Sequence, residues 1–336
     1  MPRAGIPLRR LWLRSLRSAG RDIHLVLDPI RLALSVPQAI ALLLLRRPAA
    51  VFTTGGYVAI PVLLAAWILR VPSVLWEGNA VPGRSVRLVS RWATVISATH
   101  AETIDALGHS SGYVTGTPIR PLARIDPDQA RDTFGIRPGE RVLLVFGGSQ
   151  AVRRINGAVL DALPRLVERA RVIHVTGDDG YAAAIAARDA LPSELRDQYQ
   201  PRAFLHEEMT AALAAADLAV GRAGASTLAE AAAFALPMAI VPYPHAAGHQ
   251  RRNAEIQVDA GAALLIEDEA LDADTLVDAA GLLADPARHA VMSAAARELA
   301  RPGAADAVAA LVLAAARRAA LPSTREIDAI ARQAAA

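Results

Sequence analysis

Short apolar runs alternate with helix-like segments along most of this chain of 336 residues. The first half predicts strands at Ala50–Thr53, Ser73–Trp76, Thr94–Ser97 and Tyr113–Thr115. The second half predicts strands at Val142–Phe146, Val172–Thr176, Ala203–Leu205, Leu218–Gly221, Met238–Tyr243 and Ala263–Ile266. Strands that alternate with helices pair in parallel and bury both faces of their sheet. The pattern therefore predicts an α/β fold with two parallel sheets.

The segment Gly116–Pro121 interrupts the alternation and predicts an inter-domain linker, because its glycine and prolines break regular structure. We therefore expect an N-terminal domain at residues 1–118, a C-terminal domain at residues 119–319 and a C-terminal helix at residues 320–336. Ser323 and Glu326 have the spacing of a capping box at the start of that helix. We expect the helix to pack back toward the N-terminal domain.

The first 47 residues are helix-like and carry an excess of arginine over acidic residues. Such an excess suits an anionic membrane surface or a solvated helix face. Two apolar runs, Leu32–Leu45 and Val58–Leu69, each fall short of the roughly 20 residues that a membrane-spanning helix needs. Pro37 and Gln38 interrupt the first run. We expect buried or membrane-surface helices and a peripheral protein on the cytoplasmic face of the cell membrane.

Composition excludes several classes of chemistry. The chain has no cysteine, which excludes disulfides, thiolate catalysis and cysteine-bound metal. The net charge is only +3, and we expect no nucleic-acid partner. His245 and His249 have a metal-ligand spacing, but they flank a loop-like segment and have no third ligand nearby, so we expect no metal. No Gly-x-Ser-x-Gly, P-loop or His-Glu-x-x-His motif is present, which disfavours a hydrolase, an NTPase or a metalloprotease.

Three predicted strand-to-helix turns are rich in small residues: Gly55-Gly56, Gly147-Gly148-Ser149 and Arg222–Thr227. Glycine allows close approach of the backbone to a phosphate, and the helix that follows offers free N–H groups. Two such turns in the second domain suit a nucleotide diphosphate, although glycine at such a turn is most often structural.

Two acidic positions lie near these turns. Glu230 follows the third turn by one helical turn, where it could accept hydrogen bonds from ribose hydroxyls or be a solvated helix residue. Glu77 and Asn79 follow a predicted strand of the first domain, and either could contact a sugar because α/β sheets bind ligands at the carboxyl ends of their strands.

Together these segments resemble the family-28 glycosyltransferases, and the resemblance extends over nearly the whole chain. The motifs that carry it are Thr54–Tyr57, Trp76–Asn79, Gly116–Arg120, Gly147–Gln150 with Asn156, Arg222–Glu230, and Gln250 with Asn253. The match is to the peptidoglycan enzymes of this family. Those enzymes transfer N-acetylglucosamine from UDP-GlcNAc to undecaprenyl-diphospho-N-acetylmuramoyl-pentapeptide (lipid I), with inversion and without a metal or cofactor. The resemblance implies a GT-B fold, in which two Rossmann-like doubly wound domains face a cleft, with the first domain incomplete here.

The resemblance also implies a donor-binding set. Its members are Asn79, Arg120, Ser149, Leu205, Ala225, Ser226, Thr227, Leu228, Ala229, Glu230 and Gln250, with Glu77, Gly148, Met209 and Asn253 as secondary candidates.

Roles within this set follow from the same resemblance. Asn79 would contact the transferred sugar or the acceptor, while Arg120 and Ser149 would hold the donor. Leu205 would pair with uracil through its backbone, with Met209 packed nearby. The segment Ala225–Thr227 would cap the diphosphate with helix N–H groups. Glu230 would hold the ribose, and Gln250 would hold the sugar hydroxyls.

The sequence departs from the family at its start. The family's first loop, Gly-Gly-Thr-Gly-Gly-His, is absent, and with it the histidine that is a candidate general base, so no catalytic residue is assigned. Pro2–Leu8 aligns within the family's first domain, and we expect a mis-assigned start codon rather than a true truncation. Three alternatives stay open: another glycolipid glycosyltransferase, a UDP-GlcNAc epimerase of the same fold, and a non-catalytic UDP-binding protein.

Overall fold

The protein is described by a computed structural model that covers residues 5–13, 24–120, 125–147, 153–244, 246 and 248–333. It contains two compact α/β units. The first comprises residues up to Gly116 together with Gly303–Ala331, and the second comprises Thr117–Pro302. The sequence predicted a boundary at residue 319, whereas the helix that follows Gly303 groups with the first unit.

The first unit is built on a four-stranded parallel sheet in the order β1-β2-β3-β4. Its strands are β1 (Val51–Thr53), β2 (Ser73–Glu77), β3 (Val95–Ala98) and β4 (Gly112–Val114). Its helices in this part of the chain are α1 (His24–Arg46), α2 (Ala59–Ile68), α3 (Arg84–Val89) and α4 (Ala101–Leu107). The parallel pairing confirms the predicted sheet, and each predicted strand is present to within about one residue at each end.

The second unit is built on a six-stranded parallel sheet in the order β10-β9-β8-β5-β6-β7. Its strands are β5 (Val142–Phe146), β6 (Arg171–Val175), β7 (Tyr199–Arg202), β8 (Leu218–Gly221), β9 (Met238–Ile240) and β10 (Ala263–Leu265). Its helices are α5 (Pro127–Thr133), α6 (Arg153–Val167), α7 (Asp178–Ala190), α8 (Met209–Ala215), α9 (Ala225–Ala233), α10 (His249–Asp259), α11 (Ala273–Ala280) and α12 (Pro286–Leu299). All five residues of β5 are buried, as expected for a central strand covered on both faces.

Two further helices, α13 (Ala304–Arg317) and α14 (Thr324–Arg332), return to the first sheet. Val74 of β2 packs in one apolar cluster with Leu311 and Ile327 from these helices. Its neighbour Leu75 packs on the other face, in a cluster with Leu63 of α2. Successive residues of a strand point to opposite faces, so the C-terminal helices cover the face that α2 and α3 leave open.

The capping box that the sequence predicted at α14 is present. The backbone N–H of Ser323 donates to Glu326 Oε2 at 2.7 Å, and the backbone N–H of Glu326 donates to Ser323 Oγ at 3.3 Å. These bonds satisfy helix N–H groups that have no acceptor within the helix.

One predicted strand is wrong in position, and one helix was not predicted. The strand predicted at Ala203–Leu205 lies instead at Tyr199–Arg202, where its register pairs Tyr199 with Val172. Pro201 made this segment look unlike a strand. A proline is tolerated here because β7 is an edge strand, whose outer side needs no backbone N–H to donate a hydrogen bond. The helix that was not predicted is α10, which begins at His249, directly after the loop-like segment that the sequence indicated.

The N-terminal helix is longer than predicted. Helix α1 has 23 residues and contains both Pro29 and Pro37, so it continues through the interruption that the sequence indicated. By length and composition, Leu27–Arg46 is one of two described stretches long and apolar enough to cross a membrane. The other, Pro286–Arg317, consists of α12 and α13, and α13 helps to form the core of the first unit.

Candidate functional site

The strand order of the second sheet reverses between β5 and β8, although all of its strands are parallel. From β5 the chain moves outward through β6 to β7, and it then returns to the other side of β5 to form β8, β9 and β10. The last residues of the two central strands, Phe146 and Gly221, are register partners. Loops that leave adjacent strands in opposite directions open a crevice, which is where open α/β sheets bind ligands. Both glycine-rich turns of this unit begin at that point.

The turn after β8 brings the backbone close to β5 and then starts a helix. A Cβ on Gly221 would lie 2.9 Å from the carbonyl oxygen of Phe146, so a side chain there would require the strands to shift. Gly224 is extended and α9 begins at Ala225. The first N–H groups of a helix have no acceptor within it and carry the positive end of its dipole. The predicted residues Ala225, Ser226 and Thr227 occupy these positions.

The next two predicted residues differ in character from these three. Leu228 donates its N–H to Gly224 O at 3.0 Å and buries its side chain, so its local role is packing. Ala229 follows in the second turn of the helix and is partly buried.

Glu230 lies on α9 with its side chain only 17% exposed. Burial raises the pKa of this carboxyl group, and the positive charge of Arg120 opposes that rise. The two side chains are 4.0 Å apart, and Arg120 is largely exposed. The structure therefore brings together two of the predicted donor residues and leaves a carboxylate that would benefit from further hydrogen-bond donors.

Gln250 and Asn253 both lie on α10, and each is tied to a neighbouring turn. Gln250 Oε1 accepts a hydrogen bond from the backbone N–H of Tyr243 at 2.9 Å, which leaves the amide nitrogen to face another acceptor. Asn253 is fully buried, and its Nδ2 donates to Ala223 O at 3.1 Å. Asn253 thus fixes the backbone of the turn before α9.

Leu205 and Met209 lie beyond the carboxyl end of β7. Both are partly buried and pack against the same apolar cluster as Leu228 of α9. Leu205 is in irregular backbone rather than in the strand that the sequence predicted, and Met209 is the first residue of α8. An irregular segment leaves backbone groups outside the sheet ladder, which a pairing with uracil would require.

Asn156, which follows the first glycine-rich turn, is buried in a polar network. Its Nδ2 donates to Thr176 O at 2.9 Å, and its Oδ1 lies 3.0 Å from His174 Nε2. His174 Nδ1 lies 2.8 Å from the Tyr199 hydroxyl. Burial lowers the pKa of His174 to about 4, so the ring is neutral near pH 7. This network anchors the first turn of α6 to the sheet. Ser149 and Gly148, in the preceding turn, lie outside the described residues.

Glu77 and Asn79 stand at the carboxyl end of β2 in the first unit. Glu77 Oε1 accepts from both the backbone N–H and the side-chain Nδ2 of Asn79, each at 2.9 Å. Its Oε2 accepts from the N–H of Gly83 at 3.3 Å. Glu77 is buried, so its local role is to orient Asn79 and the loop that follows.

Two features lie apart from the turns. The described residues contain no group of three or more acidic or histidine side chains placed to hold a metal ion. A polar cavity of about 900 Å³ lies where β6 and β7 begin and is lined by five arginines and three acidic residues among others. Its lining includes Arg137, Arg196 and Glu194, and none of the predicted donor residues.

Asp268 is a residue of the site that the sequence analysis missed. It pairs at 2.5 Å with Arg222, the buried first residue of the turn after β8. Asp268 follows β10 and belongs to none of the recognised motifs. An arginine that opens a buried turn needs an anionic partner, and this requirement was the available signal.

The chain matches both domain models of one protein family. The glycosyltransferase family 28 N-terminal domain matches residues 1–97, and the family 28 C-terminal domain matches residues 142–309. A UDP-N-acetylglucosamine–N-acetylmuramyl-(pentapeptide) pyrophosphoryl-undecaprenol N-acetylglucosamine transferase of Chlorobium phaeobacteroides is 40% identical over 319 residues, which cover 93% of this chain and 85% of that protein.

Solved structures agree with these matches. The crystal structure of Acinetobacter baumannii MurG superposes with a TM-score of 0.73 at 27% identity, covering 93% of this chain and 86% of that one. A UDP-GlcNAc 2-epimerase from Neisseria meningitidis, bound to UDP-GlcNAc, superposes with a TM-score of 0.58 at 12% identity, covering 79% and 75%, and supports the fold alone. The chain has the GT-B fold and belongs to glycosyltransferase family 28.

Proposed function

We propose that this protein transfers N-acetylglucosamine from UDP-GlcNAc to undecaprenyl-diphospho-N-acetylmuramoyl-pentapeptide, which yields lipid II for peptidoglycan synthesis. The observation that carries the proposal is the 40% identity, over 93% of the chain, to a transferase named for that reaction. The helix that begins at the strand-order reversal of the second sheet gives this activity a physical basis, because it offers N–H groups where a diphosphate would lie.

Donor binding follows from the contacts around α9. The N–H groups at Ala225–Thr227 would hold the diphosphate, and the largely buried carboxylate of Glu230 would accept hydrogen bonds from the ribose hydroxyls. Gln250, whose Oε1 is already held by the backbone of Tyr243, would donate from its amide nitrogen to a sugar hydroxyl. Arg120 would add a positive charge beside the donor.

The same groups account for transfer. The 4-hydroxyl oxygen of the acceptor forms a bond to C1 of GlcNAc from the face opposite UDP, and the proton of that hydroxyl is released to solvent. The bond from C1 to the β-phosphate oxygen breaks, and UDP leaves with that electron pair, so the anomeric configuration inverts. Negative charge grows on the diphosphate during this step. Backbone N–H groups fixed at the start of α9 stabilise that charge without having to reorganise.

Helix α1 provides the membrane-facing part of the proposal. It exposes Ile30, Leu34, Leu44 and Leu45, and it ends at Arg46, which Arg47 follows. An apolar helix face flanked by arginine suits insertion into the headgroup region of an anionic bilayer. We therefore place the protein at the anionic inner surface of the cell membrane, where a lipid-linked acceptor is presented.

A radiolabel assay tests this function. Label from UDP-GlcNAc should pass to lipid I, faster in phosphatidylglycerol vesicles than in phosphatidylcholine vesicles, and not to diacylglycerol. Transfer to diacylglycerol alone would identify another glycolipid transferase. Conversion of UDP-GlcNAc to another nucleotide sugar without any lipid would identify an epimerase. Equal rates in both kinds of vesicle would contradict the membrane placement.

A further inference from the structure

A run of three acidic residues, Glu267–Glu269, follows β10 and meets arginines from three other segments of the second unit. The run is absent from the motifs that carry the family resemblance. Arg222 opens the turn before α9, Arg251 follows Gln250 on α10, and Arg154 lies in the first turn of α6.

The central contact is between Asp268 and Arg222. Arg222 is 6% exposed and Asp268 is 14% exposed, and their closest side-chain atoms are 2.5 Å apart. Arg222 Nη1, which contacts Asp268, also donates to Val241 O at 3.0 Å. The guanidinium lies 5.6 Å from the ring centroid of Tyr243. Because the backbone N–H of Tyr243 binds Gln250, one ion pair links the turn after β8 to the residue proposed to hold the sugar.

The other two arginines extend this link. Arg154, in the first turn of α6, donates to Glu269 O at 2.6 Å and has its Nε 4.0 Å from Asp268 Oδ2. Arg251, the residue after Gln250 on α10, pairs with Glu267. The starts of α6 and α10 and the turn before α9 are therefore all bound to one short acidic segment.

From these contacts we infer that Asp268 is a positioning residue for recognition of the donor sugar, an inference that rests on the proposed function. Asp268 itself is placed in contact with arginines and not with the substrate. Removing its charge would take a carboxylate away from the buried guanidinium of Arg222, which would then move toward solvent or toward other acceptors. Either change would displace the backbone at Tyr243 and, through it, Gln250.

The inference predicts a selective effect. UDP is held by the start of α9 and by Glu230, whereas the GlcNAc moiety is held through Gln250. Asp268→Asn should therefore weaken UDP-GlcNAc at least tenfold and UDP by no more than about threefold, since about 1.4 kcal/mol separates each tenfold step of affinity. A purely structural role would weaken both ligands by the same factor.

Calorimetric titration of both ligands tests this selectivity. Asp274→Asn is the matched control, because Asp274 also pairs with an arginine, Arg165, at 2.7 Å but is 80% exposed. It should leave both affinities within about twofold, as expected for a surface ion pair. Arg251→Ala, at a half-exposed position, removes the contact with Glu267 together with the surface ion pair to Glu255 on the same helix, and it should weaken UDP-GlcNAc selectively by about threefold.

The outcomes separate the inference from the function beneath it. If the natural chain does not bind UDP-GlcNAc, the proposed function fails. If the natural chain binds but Asp268→Asn leaves the ratio of the two affinities unchanged, the positioning role is wrong. Should Asp268→Asn fail to fold, as judged by circular dichroism, Arg251→Ala decides on the same ratio.

Discussion

The two sheets of this protein are both parallel but differ in strand order. In the second sheet the strand order reverses between β5 and β8, and helices of the same unit cover both faces of the sheet. The four described strands of the first sheet run in chain order without a reversal, and one face is covered by α13 and α14 from the far end of the chain. Strand order thus gives the second unit a crevice at a known place, while the first unit depends on a distant segment for its core.

This difference separates stability from binding. The apolar cluster that joins β2 and β3 to the C-terminal helices contains no residue proposed to hold the donor. Conversely, the turns after β5 and β8 lie in the second unit, whose core is formed by its own strands and helices. A change to the C-terminal helices should therefore unfold the first unit and spare UDP binding.

The largest expected effect is from Leu311→Ala on α13. Leu311 is fully buried against Val74 and Val95, and truncating a buried leucine costs about 2–5 kcal/mol of unfolding free energy. All four tryptophans precede residue 117, so tryptophan fluorescence during urea unfolding reports on the first unit alone.

Leu313→Ala provides the control, because Leu313 lies on the same helix and is 52% exposed. It should change the unfolding free energy by less than about 0.5 kcal/mol. The division of roles between the units would be contradicted if Leu311→Ala left the fluorescence transition in place, or if it abolished UDP binding while the first unit stayed folded.

A smaller effect, on stability at acidic pH, should distinguish the side-chain links that hold the edge strands β4 and β7 to their neighbours. In the first unit, the Ser97 and Thr115 hydroxyls lie 2.6 Å apart and are buried, and neither titrates near neutral pH. In the second unit, the equivalent link between neighbouring strands is His174 to Tyr199, and burial lowers the pKa of His174 to about 4. In the unfolded chain this histidine has a pKa near 6.5, so between about pH 6.5 and pH 4 it binds a proton that the buried ring of the folded protein does not bind.

Stability from this group is therefore complete above about pH 6.5 and falls as the pH drops toward 4. Between pH 7.5 and pH 5 the second unit should lose about 2 kcal/mol that His174→Gln does not lose. Hydrogen exchange of the β6 amides at the two pH values measures it. Equal pH dependence of the natural chain and the variant would show that His174 is not the cause.

Much of the fold could be predicted because buried parallel strands leave continuous apolar runs, as in β5. The edge strand β7 could not be placed, since Pro201 and Arg202 hide its character and its position is fixed by a partner, Val172, far away in the sequence. Helix α10 was missed for a related reason: its polar residues give little apolar periodicity, and its start is set by the turn at Gly248.

The glycine-rich turns that we propose to hold the donor were predictable from glycine spacing and family resemblance, but the side chains that anchor these turns were not. Asn156 and Asn253 belong to recognised motifs, and the structure assigns both to backbone anchoring. Asp268 belonged to no motif, and its contacts with Arg222 and Arg154 became visible only in the structure. Such partners are brought together by strand order, which local sequence patterns do not encode.

The central claim is that the nucleotide binds where β5 and β8 separate, at the start of α9. Calorimetric titration of UDP into the natural chain, Glu230→Gln and Glu194→Gln tests it most directly. Glu194 lines the arginine-rich cavity and is the matched carboxylate control. Loss of a charged acceptor costs about 1.5–3 kcal/mol, so Glu230→Gln should weaken UDP by about tenfold or more. Its thermal stability at pH 7 should not fall, because burial already disfavours the ionised carboxyl. Glu194→Gln should bind UDP as the natural chain does. Unchanged affinity for Glu230→Gln, with a loss for Glu194→Gln, would contradict the account and place the nucleotide in the cavity instead.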